Sequence, residues 1–184
     1  DAAGGGGGAS AIDGLSDAAT NSTSVFLGHA PTNEGTDNVA VGIGALDSLI
    51  GSGTRRWNTC VGKDAGTAIT TAYQNTLMGW NAGAAITTGL YNVCIGDQTG
   101  AAAATSASVF VGSLAGNGKA GTGNVYVGGQ AGYKAGGTTS SYSTGIGYGA
   151  LQDETVGYNT AVGQAALANV SSGQQNIGMG NGAG

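Results

Sequence analysis

The chain has 184 residues, 39 of them Gly, with 8% charged side chains, one Pro, one His and a net charge of −5. Ordinary globular domains carry roughly 25% charge and about 7% Gly, disordered chains are rich in charge and Pro, and collagen needs Gly at every third position, so none of these classes fits. The acidic balance argues against nucleic acid as a partner, because phosphate binding needs clustered Lys and Arg; the adjacent Arg55 and Arg56 read as a solvated loop.

In chain order, residues 1–10 (DAAGGGGGAS) have the composition of a flexible glycine linker. Residues 11–23 read as a turn or adaptor, so 1–23 form one unit and 24–184 a second, repetitive one. The repeat runs SVFLGHAPT from Ser24, NVAVGIGAL from Asn38, NTCVGKDAG from Asn58, NTLMGWNAG from Asn75 and NVCIGDQTG from Asn92. It continues with SVFVGSLAG from Ser108, NVYVGGQAG from Asn124, STGIGYGAL from Ser143, NTAVGQAAL from Asn159 and NIGMGNGAG from Asn176. The copies centre on Gly28, Gly42, Gly62, Gly79, Gly96, Gly112, Gly128, Gly147, Gly163 and Gly180, spaced 14 to 20 residues apart. A fixed motif with variable spacing places the insertions in the connections.

Each column has a physical reading. Immediately before the glycine stand Leu27, Val41, Val61, Met78, Ile95, Val111, Val127, Ile146, Val162 and Met179, without a polar exception. Two residues earlier every position is β-branched, from Val25 to Ile177. Positions two apart on a strand share a face, so these columns are expected to form the core side of a short strand. The residue between them varies from Gly to Phe and is expected on the less constrained side. The central Gly is expected to provide a positive φ corner or a close backbone approach. Asn or Ser at the start suits a turn with local side-chain bonds. The Thr70–Thr71, Thr87–Thr88 and Thr138–Thr139 steps suggest a second, weaker strand.

One such rung cannot bury its own apolar side, whereas stacked rungs bury a continuous column. The expected fold is therefore an all-β solenoid or β-roll of about ten rungs. A single strong strand per period favours a flat roll or a core shared among chains, and a trimer is expected on that ground.

Few residues carry chemistry. Cys60 and Cys94 share one motif position two copies apart, about 10 Å along the stack. That exceeds the Cα separation of about 7 Å that a disulfide tolerates, so both read as small apolar fillers. His29 lacks the partners of a triad, and the carboxylates, Asp64, Asp97, Asp153 and Glu154 among them, are scattered. No catalytic, cofactor or metal site is expected, and no enzyme activity. Trp57, Trp80 and Tyr91 are candidate surface contacts, able to stack on sugars or protein; the alternative is that such aromatics cover layer edges or subunit seams.

The motifs NTAVGQAAL and NVAVGIGAL resemble the head repeats of trimeric autotransporter adhesins, in which an N-S-x-A-I-G-type strand builds a trimeric left-handed β-roll. NTCVGKDAG, NTLMGWNAG and NVYVGGQAG are closer still to the NTAIGYQAG-type arrays of tail-fibre and surface-fibre proteins of phages and environmental bacteria. The resemblance spans 24–184. It implies a structural fibre segment, shaft or adhesive head, on a virion or bacterial surface. Its implied partners are copies of itself, other fibre components and a host glycan or protein. The first residue is Asp and the last motif copy has no cap, so the chain is expected to be part of a longer protein. An ice-binding solenoid is disfavoured because only three copies carry a Thr-Thr step. A carbohydrate-cleaving β-helix would need convergent carboxylates.

Overall fold

A computed structural model describes residues 18–20, 25–27, 37–49, 57–100, 102, 105–134 and 137–184. Gly28, His29, Arg55, Arg56 and the glycine linker lie outside the described residues. The protein is an all-β solenoid, and no helix occurs among the described residues.

Ten three-residue strands stack in parallel: β2 (Val25–Leu27), β3 (Val39–Val41), β4 (Thr59–Val61), β5 (Thr76–Met78), β6 (Val93–Ile95), β7 (Val109–Val111), β9 (Val125–Val127), β11 (Thr144–Ile146), β12 (Thr160–Val162) and β13 (Ile177–Met179). Every neighbouring pair is in the motif register, so Val93 lies beside Val109 and Ile95 beside Val111. At one end β1 (Ala18–Thr20) pairs antiparallel with β2, which covers that edge of the sheet. A second, small parallel sheet joins β8 (Lys119–Ala120) to β10 (Thr138–Thr139), so one of the three Thr-Thr steps is a strand. The step at Thr70–Thr71 instead bonds the carbonyl of Thr87 in the next rung through both amides.

The central glycines do both things the sequence asks of them. From Gly42 to Gly180 all nine adopt φ between 117 and 134°. A Cβ on Gly112 would sit 2.7 Å from the Gly128 carbonyl oxygen, so the corners approach too closely for any side chain.

Beyond the corner the chain turns through two left-handed residues, the second and fourth after the glycine. Asp64, Asn81, Gln98, Leu114, Gln130 and Ala165 hold the second position at φ of 51 to 60°. Such a conformation costs a non-glycine residue about 1–2 kcal/mol. It is held because each amide there donates to the rung before: Asp64 to the Ile43 carbonyl at 2.8 Å, Gln98 to Trp80 at 2.8 Å.

The motif's Asn and Ser residues make the expected local bonds, as from Ser108 Oγ to the Ser106 carbonyl at 2.9 Å and Asn75 Nδ2 to the Tyr73 carbonyl at 3.2 Å, and in addition form a ladder across rungs. The amide of Asn75 donates to Asn58 Oδ1 at 3.1 Å, that of Asn92 to Asn75 Oδ1 at 3.0 Å, and that of Ser108 to Asn92 Oδ1 at 3.2 Å. The ladder passes through the hydroxyls of Ser108 and Ser143 and reaches Asn176.

The core inverts the expected faces. The variable middle residue of each strand points into the roll: Phe26, Ala40, Cys60, Leu77, Cys94, Phe110, Tyr126 and Ala161 are buried. Its variation is offset by the left-handed residue four past the glycine. Where the middle residue is Ala40, Gly145 or Ala161, that position is Leu46, Leu151 or Leu167, all buried. Where it is Cys60, Leu77, Phe110 or Tyr126, the position is Gly66, Gly83, Gly116 or Gly132. A Cβ on Gly83 would meet Leu77 Cδ1 at 2.8 Å, and one on Gly116 would meet Phe110 Cδ1 at 2.6 Å. From the Ala40 rung to the Ala161 rung the bulk thus comes from one side or the other, while the last rung has glycine at both positions, Gly178 and Gly184.

This exchange is testable by urea unfolding followed by circular dichroism. Leu77→Ala should cost about 2–5 kcal/mol through its cavity, and Gly83→Leu should destabilise by overpacking. The double variant Leu77→Ala/Gly83→Leu recreates the Ala161–Leu167 arrangement and should recover most of the loss of Leu77→Ala.

Candidate functional site: an unpartnered apolar sheet face

With the middle residues inside, the strict columns stand on the outer face of the sheet, which corrects the expectation that they form the core. Met78, Ile95, Ile146 and Met179 are 44, 38, 41 and 71% exposed. Leu27, Val41, Val61, Val111, Val127 and Val162 are half-buried. Two positions along, Val25, Thr59, Thr76, Val93, Val109, Val125, Thr144 and Thr160 are half-buried too, while Val39 and Ile177 are exposed. The face carries no charged residue in these columns and is continuous over ten rungs.

Aromatics flank it. Trp57, Tyr91, Tyr142 and Tyr158 sit just before the ladder residue, at the strand-entry edge, while Trp80 and Tyr148 follow the central glycine at the exit edge; all are exposed. Tyr73 and Tyr91 meet edge to face at 5.8 Å, and Tyr142 and Tyr158 lie 5.3 Å apart. The candidate surface contacts Trp57, Trp80 and Tyr91 are therefore exposed, split between the two edges of one face.

The roll also encloses a charged cluster that sequence reasoning missed. Lys119 and Glu154 are fully buried, and the Lys119 ammonium donates to the Glu154 main-chain carbonyl and lies 3.8 Å from Glu154 Oε2. The carboxylate accepts from Tyr126 Oη at 3.0 Å, Ser143 Oγ at 2.8 Å and Asn159 Nδ2 at 2.9 Å. Ser143 is one of the two described ladder positions that lack the longer Asn side chain, and Glu154 occupies the space. Burial pulls Lys119 down to about 8 in spite of the nearby carboxylate, and burial followed by the Glu154 charge pushes the Tyr126 hydroxyl above its ordinary range. The one available signal was the Ser substitution in the Asn column, read together with the Asp153–Glu154 acid pair ten and eleven residues later.

Cys60 and Cys94 are free and buried, with the Leu77 rung between them. Burial raises both thiols, Cys94 to about 12 and Cys60 further. No group of three His, Cys, Asp or Glu residues placed to hold a metal occurs among the described residues. No described helix is long and apolar enough to cross a membrane. Comparisons with protein families, with characterised proteins and with solved structures find no match.

Three outcomes are expected. Glu154→Leu strands the buried ammonium and should cost about 3–5 kcal/mol by urea unfolding, and Lys119→Met/Glu154→Leu should regain most of it. Between about 8 and the ordinary 10.5 the unfolded chain keeps a proton on Lys119 that the folded chain has shed. Stability relative to Lys119→Met should therefore rise with pH across that window. Neither native thiol should react with an aromatic disulfide reagent at pH 8, and both should react in denaturant.

Proposed function

We propose that the chain is a structural segment of an extracellular attachment fibre, carried on a virion or a bacterial surface, in which three parallel copies bury their outer sheet faces around a common axis. The observation that carries this reading is the outer face itself. Twenty positions, two on each of ten strands, are apolar or β-branched without exception, and Val39, Met78, Ile95, Ile146, Ile177 and Met179 among them are exposed. A stable interface takes about 20–30 residues a side, which this face and its flanking edges supply.

Three flat faces around an axis enclose a narrow apolar prism that aliphatic side chains of this size fill. The roll interior and the shared prism together give each thin rung enough buried surface. Stacking at about 4.8 Å per rung gives length and stiffness, the mechanical needs of a shaft, and the repeated exposed rungs allow multivalent contact with a host glycan or protein. Other components of the fibre would join at its ends.

Sedimentation or mass photometry of the intact chain should give three times its 17.5 kDa mass. Ile95→Glu/Val111→Glu, which puts charge on the outer face without touching the roll interior, should shift it to the single-chain mass. A stable folded monomer of the unmodified chain would overturn the reading.

A further inference from the structure

From Asp37 to Gln175 the residue five places before each central glycine is left-handed, at φ between 44 and 72°. Side chains of this column therefore leave the roll from one repeated backbone conformation. The backbone is tied to the rung before, since the Tyr142 amide donates to the Thr122 carbonyl and the Tyr158 amide to the Ser141 carbonyl, both at 2.9 Å. Successive rungs carry tyrosine in this column once, at Tyr142 and Tyr158. Their rings lie 5.3 Å apart with planes 32° from parallel, and both residues are more than half exposed. Gly123 holds the same position in the rung before, and a Cβ there would lie 2.8 Å from the Tyr142 ring. The ring therefore rests on bare backbone on that side and faces Tyr158 on the other. The two other ring pairs among the described residues differ. Phe110 and Tyr126 stack at 5.5 Å, but both are buried and one has no hydroxyl. Tyr73 and Tyr91 meet edge to face, at 80°.

We infer that Tyr142 and Tyr158 form an oxidative cross-linking site, at which a haem peroxidase supplied with hydrogen peroxide joins the two phenols of one chain into dityrosine. Each phenol gives up one electron and its hydroxyl proton and becomes a phenoxyl radical. The unpaired spins, shared onto the ring carbons beside the oxygen-bearing carbon, pair to form one carbon–carbon bond. Each joined carbon then releases its proton, and the phenol is restored on oxygen. In sum the two tyrosines lose two hydrogen atoms, and one hydrogen peroxide is reduced to two waters. The new bond forms along p orbitals that stand perpendicular to the rings, so the two ring faces must look toward each other. The tilt of the Tyr142–Tyr158 pair meets that requirement, whereas the crossed planes of Tyr73 and Tyr91 do not. Exposure admits the oxidant, and the pair stands at the border of the outer face, where even an occupied interface keeps a wet rim. The site does not depend on the proposed assembly. Its product ties the β11 rung to the β12 rung through side chains, and such a link stabilises by restricting the unfolded chain.

The test treats the full chain with a haem peroxidase and hydrogen peroxide, then separates single chains on a denaturing gel and maps their peptides by mass. Asp153 and Glu154 lie between the two tyrosines, so cleavage after acidic residues in denaturant parts them unless they are joined. The expected result is one joined peptide pair, lighter by two hydrogens than the sum of its parts, together with dityrosine fluorescence. Tyr142→Phe and Tyr158→Phe keep the ring and lose the phenol; each should lose most of that fluorescence with an unchanged circular dichroism spectrum, while Tyr91→Phe should keep it. The oxidised chain should also unfold at higher urea than oxidised Tyr158→Phe. The proposal is overturned if Tyr142 and Tyr158 come back on separate peptides after the oxidant has been consumed. It is equally overturned if dityrosine forms undiminished in either Phe variant, or if the Tyr142–Tyr158 link is found between chains rather than within one.

Discussion

Every feature of this protein depends on rungs lying in register at strand spacing along one axis, at corners as well as strands. At a strand, that spacing is set by ordinary parallel pairing, with the Thr59 amide on the Asn75 carbonyl at 2.8 Å and the Gly79 amide on the Val61 carbonyl at 2.8 Å. At the corner it is set by glycine stacked on glycine, where a side chain has no room. The buried Asn ladder ties the strand entries together, and its polar groups are satisfied only when each rung is present at its place. A buried unsatisfied amide costs about 1–3 kcal/mol, so slippage is penalised at every rung.

That constraint leaves a thin interior, and the chain fills it by exchange. A large strand residue is paired with glycine in the turn, and a small one with leucine. The left-handed turn conformation is imposed by hydrogen bonds to the neighbouring rung, so Leu46, Leu151 and Leu167 adopt it as Gly66 and Gly116 do. Interior identity consequently varies while the bulk stays on one side of each pair, the terminal Gly178–Gly184 rung excepted. The Lys119–Glu154 cluster is the polar counterpart, a carboxylate filling the space left where Ser143 interrupts the Asn ladder.

The outer face obeys the opposite rule. It has no turn residue to compensate for it, and every rung presents a β-branched residue and an aliphatic or Met residue there. Invariance on the outside and variation on the inside follow from the same geometry. On the proposed assembly the outer side of the sheet is the more restricted one because it meets another copy.

The repeat, its ten rungs, the strand and the glycine corner were all legible in the sequence. They depend on local rules: alternation, β-branched preference, and a backbone conformation that only glycine adopts next to another backbone. Alternation also established that Leu27 and its column share one face with Val25 and its column. It could not say which face is inside, because period two is the same for a strand turned over. Only the tertiary structure decided that, through the turn residues that cross over the middle column and seal it. The cross-rung part of the Asn role was decided there too, since a bond to a rung 16 to 20 residues away leaves no local signature beyond that of a turn former. So was the pairing of Lys119 with Glu154, 35 residues apart, brought together by stacking alone.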